Sequence, residues 1–212
     1  MLSKQKIEAV FERLAAVNPE PKGELDHVNP YTLLVAVVLS AQATDKGVNK
    51  ATAALFKKVT TPQQMLELGE AGLIEHIKTI GLFRAKAKNV ISLSQSLIDR
   101  FGGEVPRTRD ELESLAGVGR KTANVVLSMA FGVPTIAVDT HVFRVSQRLG
   151  LAKGKTPNAI EAQLEKVIPA KFMQHAHHWL ILHGRYTCVA RKPKCPECPV
   201  KSLCPFPDKT KP

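Results

Sequence analysis

Four cysteines near the end of the chain, and one lysine beside a glycine turn, are the residues whose types and spacing could do chemistry. Cys188, Cys195, Cys198 and Cys204 fall within seventeen residues, spaced C-x6-C-x2-C-x5-C. Thiols clustered so closely point to one four-ligand site. Structural disulfides are the first alternative. Nothing at the N-terminus reads as a secretion signal, however, and persistent disulfides are rare in a reducing compartment. Zinc is the stronger rival, because four thiolates suit its tetrahedron. Zinc modules usually present two close cysteine pairs, whereas only Cys195 and Cys198 are close here. The flanking gaps of six and five residues favour a bulkier iron–sulfur cubane, a 4Fe-4S cluster. Prolines 193, 196, 199, 205 and 207 stiffen the segment, and its Lys and Arg residues offset the charge of a thiolate-bound cluster.

The lysine lies in Leu115-Ala116-Gly117-Val118-Gly119-Arg120-Lys121-Thr122-Ala123, where two short helical patterns meet at a glycine turn. Gly117 and Gly119 permit positive φ angles and close approach to a ligand, leaving the N–H groups of Val118, Gly119 and Arg120 near a helix N-terminus. Such a turn suits a DNA phosphate, held by backbone amides and the positive helix end without reading any base. Lys121 has two readings. Residue type and position favour a further phosphate-contacting lysine. The other is a nucleophile, an amine made less basic by neighbouring cations and partial burial, which attacks a sugar carbon and forms a Schiff base. Asp139, in Val138-Asp139-Thr140-His141, reads as a helix N-cap. A carboxylate there could also deprotonate an amine or steady a positive charge developing on a sugar. Spacing alone does not bring it beside Lys121.

Helices position these residues. Helical periodicity runs from end to end, no strict period-two stretch competes with it, and the expected class is all-α. Ile7, Val10, Phe11 and Leu14 line one face behind a Ser3 cap, and Pro19 and Pro21 end that helix. Asn29-Pro30 opens the apolar helix Tyr31 to Leu39, Asp45 is expected to cap the next, and Thr61-Pro62 starts another. Val90, Leu93, Leu97, Ile98 and Phe101 form an inward stripe that stops at Gly102-Gly103. Thr108 and Glu111 make a capping box for a short helix ending near Leu115, and Arg120 to about Phe131 completes the hairpin. Further helices start near Asp139 and at Thr156-Pro157, and a last one holds Trp179 and Leu182.

Composition narrows the partner. Thirty Lys plus Arg against nineteen Asp plus Glu give a net charge of +11, which makes a polyanion the default partner and nucleic acid the best fit. Aromatic residues are only 5% of the chain, too few for a base-stacking platform of the single-strand type, so duplex phosphates are the expected contact. The longest apolar run, Leu33 to Leu39, is far short of the roughly 20 residues of a membrane-spanning helix. Neither a targeting peptide nor a membrane partner is expected.

The hairpin run, Val138 to His141 and the cysteine tail together resemble the endonuclease III family, bacterial members of the helix-hairpin-helix DNA glycosylases. The likeness extends to Leu39-Ser40-Ala41-Gln42-Ala43-Thr44-Asp45, Ile80-Gly81-Leu82 and His178-Trp179-Leu180-Ile181-Leu182-His183-Gly184-Arg185, and so spans nearly the whole chain. The resemblance implies two helical domains with DNA in the cleft between them. Residues 22–133 would form a six-helix domain containing the helix-hairpin-helix at about 108–131. Residues 1–21 with 134–212 would carry the iron–sulfur loop, 188–204. It implies base-excision repair by a bifunctional enzyme, a monomer in the bacterial cytoplasm associated with the nucleoid. Its partner would be double-stranded DNA containing damaged pyrimidines or abasic sites. An oxidised pyrimidine would be flipped out, Lys121 would displace it at C1′, and β-elimination would cut 3′ to the lesion. Asp139 matches the family's essential carboxylate.

The resemblance further gives Gln42 and Leu82 as the residues that fill the gap left by the flipped nucleotide, an amide for the orphaned base and an apolar wedge. Gly117, Val118, Gly119 and Arg120 would hold DNA, and His141 and Arg144 would line the cleft. Two departures stand out. Ala116 replaces the family's usual proline, loosening the hairpin entry, and Arg84 makes the Leu82 loop more basic. Two other functions compete. A monofunctional mismatch glycosylase shares the cysteine tail but lacks a lysine at the hairpin, and a redox-sensing iron–sulfur DNA-binding regulator needs no Lys121–Asp139 pair.

Overall fold

The computed structural model describes residues 1–211. In chain order it contains α1 (Lys4–Val17), α2 (Pro30–Leu39), α3 (Asp45–Thr52), α4 (Pro62–Ile77), α5 (Phe83–Phe101), α6 (Arg109–Glu113), α7 (Arg120–Phe131), α8 (Thr140–Arg148), α9 (Pro157–Val167) and α10 (Ala170–Tyr186). A single 3-10 turn, Cys195–Glu197, follows, and no strand occurs among the described residues. The protein is all-α. Glu24–Gly132 forms one compact unit, holding α2 to α7, and Met1–Gly23 with Val133–Pro212 forms the other.

In the first unit α2 is buried from Tyr31 to Leu39, the behaviour of a helix that is apolar all round. Its start is fixed by a reciprocal box. The Thr32 amide donates to Asn29 Oδ1 at 2.9 Å and the Asn29 amide to Thr32 Oγ1 at 3.0 Å. α4 packs on α5, and α7 lies against α2. The cap of α3 is Thr44, whose Oγ1 accepts from the Gly47 amide at 3.1 Å, and not Asp45 as expected. Either side chain can cap. The backbone leaves its extended conformation one residue earlier, so Asp45 enters the first turn, where its charge still suits the helix dipole. α6 ends at Glu113, short of Leu115, because the Leu115 amide turns back to the Leu112 carbonyl at 3.1 Å.

In the second unit Ile7, Val10, Phe11 and Leu14 of α1 enter a core with Phe172 and Trp179 of α10. The Phe11 ring lies 5.7 Å from Phe172 and 6.3 Å from Trp179, and Trp179 Nε1 donates to the Asn18 carbonyl at 2.8 Å. Val200 belongs to this core, and Cys188, Cys198 and Cys204 pack against it, so the cysteine segment sits on a solid base. α8 packs across α10. At Gly184 the approach is so close that a Cβ would lie 2.8 Å from His141 Cβ and 3.1 Å from Val145 Cγ2.

Gly184→Ala is therefore expected to force α8 and α10 apart. Overpacking of this kind costs about 1–3 kcal/mol, which in a chain of this size lowers Tm by roughly 2–4 °C per kcal/mol. Thermal unfolding checks this, and an unchanged Tm would mean that the crossing is not tight.

Candidate nucleic-acid interface and cysteine recess

The hairpin is built on two glycines with different tasks. Gly117 has φ +76°, and a Cβ there would lie 2.9 Å from Asn89 Nδ2 and 3.0 Å from Asn89 Cβ. The turn thus needs both the left-handed backbone and the missing side chain to sit on α5. Gly119 is extended, at φ −101° and ψ 176°, and a Cβ there meets nothing within 4 Å. It is the N-cap of α7 and supplies no side-chain cap, so the amides of Lys121 and Thr122 are left to an outside acceptor. The Val118 amide is not available as the sequence suggested, because it donates to the Leu115 carbonyl at 3.2 Å. Val118 is buried, Arg120 is half-buried, and Lys121 is exposed. Partial burial, one expected means of activating Lys121, is absent.

Gln42 and Leu82 lie in neighbouring loops of the same unit, since a Cβ at Gly81 would be 3.8 Å from the Gln42 carbonyl oxygen. Both adopt left-handed backbone, φ 55° and 58°, and among the described residues only Lys192 is a further non-glycine with positive φ. Neither residue type takes that conformation cheaply. Leu82 is 60% exposed and opens α5 without a side-chain cap. One turn on, Lys86 is only 4% exposed and its Nζ has no hydrogen-bond partner. Burial pushes this amine below its usual range. Lys86 was missed in the sequence, although it stands in helical register with Val90, Leu93 and Leu97 and so on the buried stripe.

In the second unit Asp139 caps α8 through Oδ1, which accepts from the Val142 amide at 2.7 Å. Its second carboxylate oxygen carries no protein hydrogen bond among the described residues. His141 is half-buried against Gly184. Arg144, expected to line the cleft, has partners within its own unit. It donates to the Cys188 carbonyl at 3.0 Å and the Gly184 carbonyl at 2.8 Å, a brace between α8 and the end of α10.

The four cysteines are free thiols bordering one recess, together with Arg148 and His183. Among the described residues no three His, Cys, Asp or Glu side chains gather tightly enough for a single metal ion. Four thiols around a larger space instead fit a cubane cluster, with one sulfur for each iron. Burial pushes the Cys198 and Cys204 thiols up, a cost that coordination removes by taking the thiol proton outright. His183 lies at the wall, its Nε2 3.7 Å from Cys198 Sγ, and burial pushes it down to about 4. The segment is tied back by Arg13, which donates to Ser202 Oγ at 2.6 Å, and by the Thr210 hydroxyl, which bonds the Pro193 carbonyl.

Comparison with known proteins agrees with this layout. The family described as HhH-GPD superfamily base excision DNA repair protein matches residues 35–170. The iron-sulfur binding domain of endonuclease III matches residues 188–204. Endonuclease III of Treponema pallidum is 58% identical over 96% of this chain and 97% of its own length. Endonuclease III of Haemophilus influenzae is 56% identical over 98% and 99%. A solved trapped endonuclease III–DNA covalent intermediate is similar with a TM-score of 0.89 at 50% identity, covering 97% of each chain.

The two hairpin glycines should respond differently to one added methyl. Gly117→Ala is expected to lose about 1–3 kcal/mol through strain and the clash with Asn89. Gly119→Ala should cost less, about 1 kcal/mol or below, because the added methyl meets nothing and only the poorer N-cap preference of alanine counts against it. Urea unfolding of both variants checks this, and equal losses would contradict the geometry.

Proposed function

The chain belongs to the endonuclease III family of helix-hairpin-helix base-excision repair proteins, and from that premise we propose that Lys121 is its nucleophile, with Asp139 as the supporting carboxylate. The activity is that of a DNA glycosylase with AP lyase activity. Relatives named endonuclease III over nearly the whole chain do not favour a monofunctional mismatch glycosylase or a redox-sensing regulator. The substrate is duplex DNA carrying an oxidised pyrimidine or an abasic site.

The observation that carries the reading is an exposed amine on the first, uncapped turn of α7. A phosphate at the free amides anchors the strand. Lys121, in the same turn, then reaches the sugar. Its deprotonated Nζ forms a bond to C1′ while the C1′–N bond breaks and the base leaves with the electron pair and a proton. Opening of the sugar ring at the C1′–O4′ bond, with a proton from solvent added to O4′, gives a protonated Schiff base. That cation acidifies the C2′ proton, whose loss expels the 3′ phosphate oxygen from C3′ and cuts the strand. Water then releases Lys121. The Asp139 oxygen left over from capping is free to take up a proton or to offset the cationic sugar. Gln42 and Leu82 fill the vacated stack. Their exposure and left-handed backbone support this, since strain is kept where a binding function requires it. Arg144 acts as a brace rather than a DNA contact, while Arg120 and His141 stay at the DNA side.

Cys188, Cys195, Cys198 and Cys204 hold a 4Fe-4S cluster. When bound, it supplies iron–thiolate bonds that fix the loop, as metal binding contributes to folding wherever a short segment cannot fold alone.

Nicking of a duplex with one oxidised pyrimidine tests the mechanism. Wild type should cut 3′ to the lesion. Lys121→Gln should bind DNA without cutting. Asp139→Asn should lose at least about 100-fold in rate, the lower range for a lost proton-transfer group. Its stability should be nearly unchanged, because asparagine caps as well as aspartate. Full cutting by Lys121→Gln, or unfolding of Asp139→Asn, would contradict these roles.

A further inference from the structure

We infer that Arg148 is the positioning residue of the iron–sulfur cluster, a latch that joins the first and last ligand segments and places a cation beside the Cys188 sulfur. This rests on the reading that the cysteines hold a cluster. Arg148 is the last residue of α8, and both terminal nitrogens of its side chain bond within the cysteine segment. One terminal nitrogen donates to the Val189 carbonyl at 2.8 Å and lies 3.6 Å from Cys188 Sγ. The other donates to the Ala190 carbonyl at 3.0 Å. The guanidinium carbon sits over the Phe206 ring, 4.6 Å from its centre. One side chain thereby holds three consecutive residues, 188 to 190, and the residue two beyond Cys204.

The backbone of Arg148 takes part as well, since its carbonyl accepts from Cys204 Sγ at 3.6 Å. That bond belongs to the thiol form and is given up when the sulfur binds iron. The side-chain contacts require no such change, because a thiolate accepts from the guanidinium more strongly than a thiol does. Only arginine offers a planar fork for two adjacent carbonyls, a face for an aromatic ring and a permanent charge together. Hydrogen bonds to ligand sulfur and nearby charge set the potential of an iron–sulfur cluster, so Arg148 has an electrostatic effect separable from its mechanical one. Arg13 holds the same segment through Ser202 and the Pro199 carbonyl, with no sulfur contact, and provides the natural control.

The test uses full-length protein purified without oxygen, as wild type, Arg148→Gln, Arg148→Lys and Arg13→Gln. Iron per chain, the rate at which an iron chelator bleaches the visible absorbance, and the reduction potential by film voltammetry are measured. Arg148→Gln is expected to bleach about 10–100-fold faster than wild type, the usual cost of removing a group that supports a metal ligand. Its potential should move to more negative values, because loss of a cation disfavours adding an electron. Arg148→Lys should keep most of the potential while bleaching faster than wild type, and it remains informative if the glutamine variant does not fold. Arg13→Gln should leave the potential unchanged. Wild-type bleaching and potential in both Arg148 variants would overturn the latch while leaving the cluster reading intact. A shift in potential with Arg13→Gln equal to that of Arg148→Gln would reduce Arg148 to general loop anchoring. Wild-type protein without iron would overturn the cluster reading itself.

Discussion

The contact between α8 and α10 at Gly184 is the constraint on which the cysteine-bearing unit depends. Without a side chain at 184, the His141 backbone and Cβ come close enough for Arg144 to reach the Gly184 and Cys188 carbonyls. The same approach puts Arg148, one turn further, against the residues that follow Cys188. α8 is nine residues long, yet it presents the Asp139 carboxylate at one end and braces the cluster segment at the other. The position of the acid and the position of the ligands are therefore two results of one packing event. A helix this short is marginal alone, and its order comes from the apolar contacts of Val142 and Val145 with the core.

The hairpin unit divides its labour differently. Backbone geometry does the anchoring, since the φ of Gly117 and its fit against Asn89 set the turn, and the missing cap of α7 leaves amides for a phosphate. Side chains do the chemistry. In the proposed mechanism, keeping the two tasks on separate atoms lets the strand be gripped without occupying the Lys121 amine. The same unit holds Gln42 and Leu82 in left-handed backbone, and α2 in that unit is buried from Tyr31 to Leu39.

Much of this was legible in the sequence, because caps and ligand spacing are local signals. Ser3, Asn29, Thr61, Thr108, Asp139 and Thr156 each accept the first-turn amide expected of them. Asp45 failed only because Thr44 precedes it with an equally able oxygen. What stayed hidden depends on partners far along the chain. Arg144 and Arg148 find theirs about forty residues away, beyond the reach of any local pattern. The Val118 amide is consumed by a tight turn to the Leu115 carbonyl, which the residue types do not signal. The left-handed backbone of Leu82 could not be read from a residue that rarely adopts it. The burial of Lys86 had a signal in its helical register, which its charge obscured.

Which lysine bonds to the sugar is measured most directly by identifying the modified residue. The full-length protein would be reduced with borohydride on a duplex containing an oxidised pyrimidine, digested, and the sugar adduct located by mass spectrometry. A Lys121 nucleophile puts the adduct on Lys121 alone, in the peptide that follows the glycine hairpin. An adduct on any other amine, such as the buried Lys86, or its absence from a protein that still nicks the strand, would contradict it.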